Sequence, residues 1–200
     1  MKQIYQKIWQ LAKPYYEKGR VMDLEHVSWM IKVAEDVCEN ELVDDTILMP
    51  LIILHDIGYS LCPKVNPFNL DLRKAHMEKG AVEAEKILKS INYPQEKIKE
   101  IVYGVSVHDN WAFDESDIFN NNLILGIMND LDFTWSASKK GFVYLCGYLN
   151  TNQFGGLKWL EEEKKPITRP FTTKTTKELF EKYLIERKDE IKTKSDSKPL

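Results

Sequence analysis

Cysteine is scarce in this chain: Cys38, Cys62 and Cys146 are the only three in 200 residues, they lie far apart, and none belongs to a Cys-x-x-Cys pair. An odd number at such spacing excludes a disulfide framework and a cysteine-built zinc or redox site, and makes the reducing cytoplasm the expected compartment. Long hydrophobic runs are also missing. The longest, Ile47 to Leu54, falls far short of the roughly 20 apolar residues that span a bilayer. The opening stretch MKQIYQKIWQLAKPYY intersperses charges among its apolar residues, unlike a signal peptide. Neither a membrane association nor secretion is expected. Positive charge is not in excess either. Lys and Arg number 28 against 31 Asp and Glu, the net charge is -3, and no basic stripe interleaves with aromatics, so a nucleic-acid partner is not indicated.

What is present reads as a succession of helices. Ile4, Ile8, Leu11 and Tyr15 share one helical face, and Gly19 closes that segment. From Asp23, a candidate N-cap, Val27, Ile31, Ala34 and Cys38 run beside a second row of His26, Met30, Val33 and Val37, a stripe wide enough for a mostly buried helix. The stretch ILMPLIIL fits a buried strand or a buried helix by periodicity, and Pro50 argues for the helix, because it would remove a ladder donor from a central strand. That helix is expected to end at His55-Asp56-Ile57-Gly58. Beyond a Pro- and Asn-rich loop at 63–69, a helix from about Asp71 to Lys89 carries Met77, Ala81, Ala84 and Leu88 on one face, with His76 and Gly80 beside them. The next helix places Ile98, Ile101, Val105 and His108 in register. A following helix holds Asp132 in register with Leu125 and Met128, and Asp130 in register with Leu123 and Ile127, so spacing does not choose between the two aspartates. Later helices are expected at 137–149, 156–164 and 174–188. The chain thus reads as all-α, a single bundle of seven to nine helices over residues 1–190, followed by a charged, disordered tail at 191–200.

Every histidine in the chain falls into one ordered pattern: His26, then His55-Asp56, then His76, then His108, then an aspartate within NDLDF. This order resembles the HD-domain superfamily, with LHDIGY and HMEKGA as its most specific stretches, over residues 23–135. The resemblance implies a metal site of His26, His55, Asp56, His76, His108 and Asp132, the second aspartate of Asp-x-Asp being favoured over Asp130. It implies two divalent transition-metal ions, iron or manganese, with nickel or zinc as alternatives, and Asp56 as the catalytic bridging ligand. The implied activity is a metal-dependent phosphohydrolase acting on a small phosphate ester or nucleotide. Two alternatives stand beside it: an HD-type diiron oxygenase resembling myo-inositol oxygenase, which uses the same six ligands, and a non-catalytic signalling module, against which the complete ligand set argues.

Elementary chemistry agrees with the ligand set. Adjacent helical residues diverge by about 100°, so His55 and Asp56 can serve one cluster only at a helix end, and the HDIG stop provides it. A carboxylate can bridge two cations, and imidazole suits iron, manganese, nickel or zinc better than magnesium or calcium. A lone histidine on an apolar stripe is ordinarily a core residue bonded to backbone; five motif elements in order point instead to ligation. For the substrate, Arg73 and Lys79 near His76 are candidate anion-binding residues, whereas Lys64 and Lys74 suit a solvated surface. Trp111, Phe113, Phe133 and Trp135 suit either a pocket wall or ordinary packing. Tyr59 follows the HDIG stretch; in the superfamily that the pattern resembles, many members read HDIGK or HDLGK there, so the resemblance implies that a phenol occupies the place of a substrate-contacting lysine.

Overall fold

In the computed structural model, which describes residues 1–63, 69–162 and 170–196, four of the helices begin at a side-chain cap. Among the described residues the protein is all-α, with ten α-helices, two short 3-10 turns and no strand. Helix α1 spans Gln3–Lys18, and α2 spans Asp23–Glu41 and ends at Leu42 in the left-handed conformation, φ 51°. The Asp44 side chain accepts from the Thr46 N–H to start α3, Asp45–Leu54. Asn69 caps α4, Leu70–Ser90, in the same way, and α5 covers Gln95–Val107. After the short α6, Asp117–Asn120, Asn122 caps α7, Leu123–Trp135, and Ser138 caps α8, Lys139–Tyr148. Helices α9, Gln153–Glu162, and α10, Lys174–Asp196, complete the chain. No helix among the described residues is long and apolar enough to cross a membrane.

The all-α class stands as expected; the ten described helices, against roughly seven to nine, include α6, a single turn too short to carry a periodic pattern. The final helix runs past residue 190 to Asp196, since Ile191, 6% exposed, still anchors it and lysine sustains helix. Residues 197–200 lie outside the described residues.

Helix α3 is the hub, and its composition dictates that place. Every side chain from Ile47 to Leu54 is buried, so the helix has no polar face and must be surrounded. It packs against α1, α2, α5 and α7. Truncating one of its Leu or Ile side chains to Ala would cost about 2–5 kcal/mol. Pro50 cannot donate to the Thr46 carbonyl one turn back; the Tyr93 hydroxyl donates to it instead at 2.7 Å. A second, smaller apolar cluster joins Phe133 of α7 to Phe142, Leu145, Leu160 and Phe180 of α8–α10.

Candidate metal centre

The six residues of the HD-like pattern arrive at one point from five places in the fold. His26 lies in the first turn of α2, His55 and Asp56 directly follow α3, His76 is central in α4, His108 directly follows α5, and Asp132 is near the end of α7. The backbone leaves helical geometry at Asp56, φ -100° and ψ 4°, and begins a 3-10 turn at Ile57–Leu61. That break lets both members of the pair face the cluster. Gly58 brings the turn against α4: a Cβ there would stand 1.9 Å from the His76 carbonyl oxygen and 2.7 Å from the Gly80 nitrogen. All four histidines are at most 2% exposed.

Asp56 divides its two carboxylate oxygens between two sets of imidazoles. Oδ2 lies 3.2 Å from His55 Nε2 and 3.6 Å from His26 Nδ1, while Oδ1 lies 3.3 Å from His108 Nε2 and 3.5 Å from His76 Nε2. Two buried groups sharing Asp56 result, His26–His55–Asp56 and Asp56–His76–His108, and each could hold a metal ion. Asp132 Oδ1 stands 3.0 Å from His26 Nε2, the ring nitrogen opposite the one that faces Asp56. Asp130 is turned away. Its Oδ2 accepts from the Thr172 N–H at 2.7 Å and the Thr176 hydroxyl at 2.6 Å, which ties α7 to the start of α10.

The ring tautomers suit metal ligation. Carbonyl oxygens can only accept, so His55 Nδ1–H donates to Ile52 O at 2.8 Å, His108 Nδ1–H to Val105 O at 2.8 Å, and His76 Nδ1–H to Leu72 O at 3.3 Å. Each Nε2 lone pair is thereby directed at Asp56, the arrangement in which outer hydrogen bonds orient metal-binding histidines. His76 and His108 bring their Nε2 atoms to 3.1 Å from one another, a contact that repels unless a proton or a metal cation lies between. Two nitrogens on adjacent positions of one ion, each at about 2.1 Å, are separated by such a distance. His55 Nε2 and both nitrogens of His26 are buried with no hydrogen-bond partner of good geometry, which also fits a cation.

Charge in the cluster is strongly coupled. Burial disfavours the Asp56 carboxylate, but the neighbouring His55 and Arg20 outweigh that and hold its pKa well below the ordinary range. Burial would also lower His26; the carboxylates of Asp132 and then Asp56, which face its two ring nitrogens, overcome it and raise the imidazole to about 9. His76 is pushed down, first by burial and then by the adjacent His108, whereas His108 is raised because Asp56 outweighs its burial. The latter pair therefore suits a single shared proton when no metal is bound.

A cavity of about 150 Å³ opens over Asp56. That is about ten times the room one water needs, enough for a small molecule. Arg20, Arg73, Asp109 and Asp132 form its polar wall, and Trp111, Phe133, Trp135 and Trp159 are prominent in its apolar wall. The Trp135 ring stacks on His26. Phe113, expected with the other aromatics, is not among the lining residues.

Of the candidate substrate residues, Arg73 lines this cavity, with Nη1 2.8 Å from Asp109 Oδ1 and its guanidinium 4.7 Å over the Trp111 ring. Tyr59 lines it too and stacks flat on His76 at 3.8 Å. Lys79 does not. It is exposed and donates to the Leu61 carbonyl at 2.7 Å, so it caps the 3-10 turn from outside. Lys74 is exposed, and Lys64 lies outside the described residues.

The chain matches no family model, no curated protein and no solved structure.

Three site residues escaped the sequence reading. Arg20 Nη2 meets Asp56 Oδ2 at 2.5 Å and its Nε meets Asp23 Oδ1 at 2.6 Å, both from a turn that no periodicity marks. Asp23 is wholly buried beneath it. Asp109 approaches His76 Nε2 to 3.8 Å and accepts from Trp111 Nε1 at 3.0 Å. A signal for Asp109 was present: His108-Asp109 is a second His-Asp pair at the end of a buried helix.

Proposed function

We propose that this chain is a metal-dependent phosphohydrolase of the HD-domain kind, acting in the cytoplasm on a small phosphate ester or nucleotide through a binuclear centre. The observation that carries the reading is the pair of buried three-residue groups joined by the split carboxylate of Asp56. The first ion would take His26, His55 and Asp56, with Asp132 as its further carboxylate; the second would take Asp56, His76 and His108. Ions of the iron or manganese type supply water activation and charge neutralisation for an in-line displacement at phosphorus.

The chain's own groups do the rest. The backbone carbonyls of Ile52, Leu72 and Val105 hold three imidazoles in the tautomer that offers Nε2. Arg73, steadied by Asp109 and Trp111, is placed to meet phosphate oxygens with a planar fork of donors. The indole and phenyl wall excludes water from one side and offers a surface on which a nucleobase can stack. Three unpaired cysteines suit a reducing compartment.

The test is a phosphate-release screen over phosphomonoesters and nucleotides, run on metal-loaded protein with and without dioxygen. Phosphate release that needs metal but not oxygen is the expected result. Oxygen uptake without phosphate release would instead favour the diiron oxygenase reading, and silence in both assays with two ions bound would favour a binding module.

A further inference from the structure

Arg20 is bound in three ways that respond differently to a metal ion. Its Nε is paired with the buried Asp23, and its guanidinium carbon sits 3.5 Å over the centre of the Tyr59 ring. Neither partner belongs to the metal-ligand set. The third partner is Asp56 Oδ2, which Nη2 meets at 2.5 Å. That oxygen is also the one facing His55 Nε2 and His26 Nδ1, so it is the ligand atom of the first metal group. A cation there competes directly with the guanidinium for one oxygen and repels it at short range. Arg20 would then keep Asp23 and Tyr59 and lose Asp56. Its released Nη2 donors remain in the same cavity wall as Arg73, mostly shielded from water, and need an acceptor.

We infer that Arg20 is a metal-gated anion-binding residue: occupation of the His26–His55–Asp56 group frees its guanidinium from Asp56, and the guanidinium then takes the phosphate oxygens of the substrate. The inference rests on the binuclear reading above. Without metal, Asp56 is the anion that Arg20 binds, so the phosphate site is closed; with metal it opens. Thermodynamic linkage makes this reciprocal, with phosphate tightening metal binding by the same factor as metal tightens phosphate binding. A further signature follows. Because Arg20 competes with the first ion, its removal strengthens metal binding when no anion is present, whereas loss of a purely structural prop would weaken it.

The experiment titrates Mn(II) into metal-free full-length protein, with and without inorganic phosphate, following free Mn(II) by electron paramagnetic resonance. Wild type is compared with Arg20→Met, Arg20→Lys and Arg20→Met/Asp23→Asn, the last relieving the buried carboxylate that Arg20 would leave behind; circular dichroism reports folding. In wild type, phosphate should tighten Mn(II) binding by about tenfold, within the usual range of coupling between sites. In Arg20→Met, or in the double variant if the single one does not fold, Mn(II) alone should bind a few-fold more tightly, and the phosphate effect should fall to about threefold or less. Arg20→Lys should keep an intermediate coupling. Unchanged coupling in folded variants, or weaker Mn(II) binding without phosphate, overturns the role of Arg20 while leaving the metal centre standing. Wild type that binds no Mn(II) at either group overturns both.

Discussion

Asp130 and Asp132 stand two residues apart on α7, and a rotation of about 200° between them assigns different work. Asp130 is wholly buried and accepts from the Thr172 backbone and the Thr176 hydroxyl, so it fastens α10. Asp132 keeps a 24% exposed side chain on the cavity and meets His26. Asp132→Asn should therefore lower metal affinity by about tenfold or more, the scale seen when a carboxylate partner of a metal site is lost. Asp130→Asn should leave metal content intact and cost about 1–3 kcal/mol of stability, because a neutral amide oxygen accepts from the Thr172 N–H and the Thr176 hydroxyl more weakly than a carboxylate does. Metal titration alongside thermal melting separates the two, and the reverse ranking would reassign the ligand. Register along α7 left both aspartates open in the sequence; only the positions of His26 and of Thr172 and Thr176, remote in the chain, distinguish them.

At the scale of elements, the site depends on where α3 stops. The HDIG sequence ends the helix, turns Asp56 inward, and lets Gly58 lie against α4 with no room for a side chain. Gly58→Ala would drive a Cβ into the His76 carbonyl, and a backbone atom there cannot swing aside as a flexible side chain can. We expect it to displace the 3-10 turn from α4, lower the melting temperature, and reduce metal content at both groups together. Tyr93→Phe is the matched control. It removes the hydroxyl that serves the Thr46 carbonyl beneath Pro50, costs about 1 kcal/mol, and should leave metal content unchanged. Full metal content in Gly58→Ala would show that the turn does not position the HD pair. The hub helix and its stop were legible because Pro50 argues against a central strand and because glycine follows the HD pair. Helix α6 and the anchoring turn at Arg20 were not: four residues cannot show a 3.6 period, and the turn's role arises only when Asp23, Asp56 and Tyr59 converge on it.

For the whole molecule, the two groups that could hold metal draw on α2, α4, α5 and the end of α3, with Asp132 of α7 beside His26, so occupancy of them would be linked to global stability. Ligand at a hundred times its dissociation constant adds about 2.7 kcal/mol to a fold that alone can bind it. For a chain of this length that corresponds to a rise of roughly 5–10 °C in melting temperature. The four histidines made the groups legible from the sequence, since so few, all placed in one ordered pattern, leave little room for scattered core roles. The resemblance implied Asp56 as the bridge; which of its oxygens faces which pair of imidazoles was not legible, and stoichiometry tests the bridge. Wild type should bind two Mn(II) or Fe(II) ions. His108→Ala strips only the Oδ1 side of Asp56 and should bind one, whereas Asp56→Ala removes the carboxylate common to both groups and should bind none. The metal-induced rise in melting temperature should follow the same order, full, partial and absent. Asp56→Ala that still bound two ions with an undiminished thermal shift would break the link between the split carboxylate and the two metal groups, and one ion in wild type, held without His76 and His108, would make the centre mononuclear.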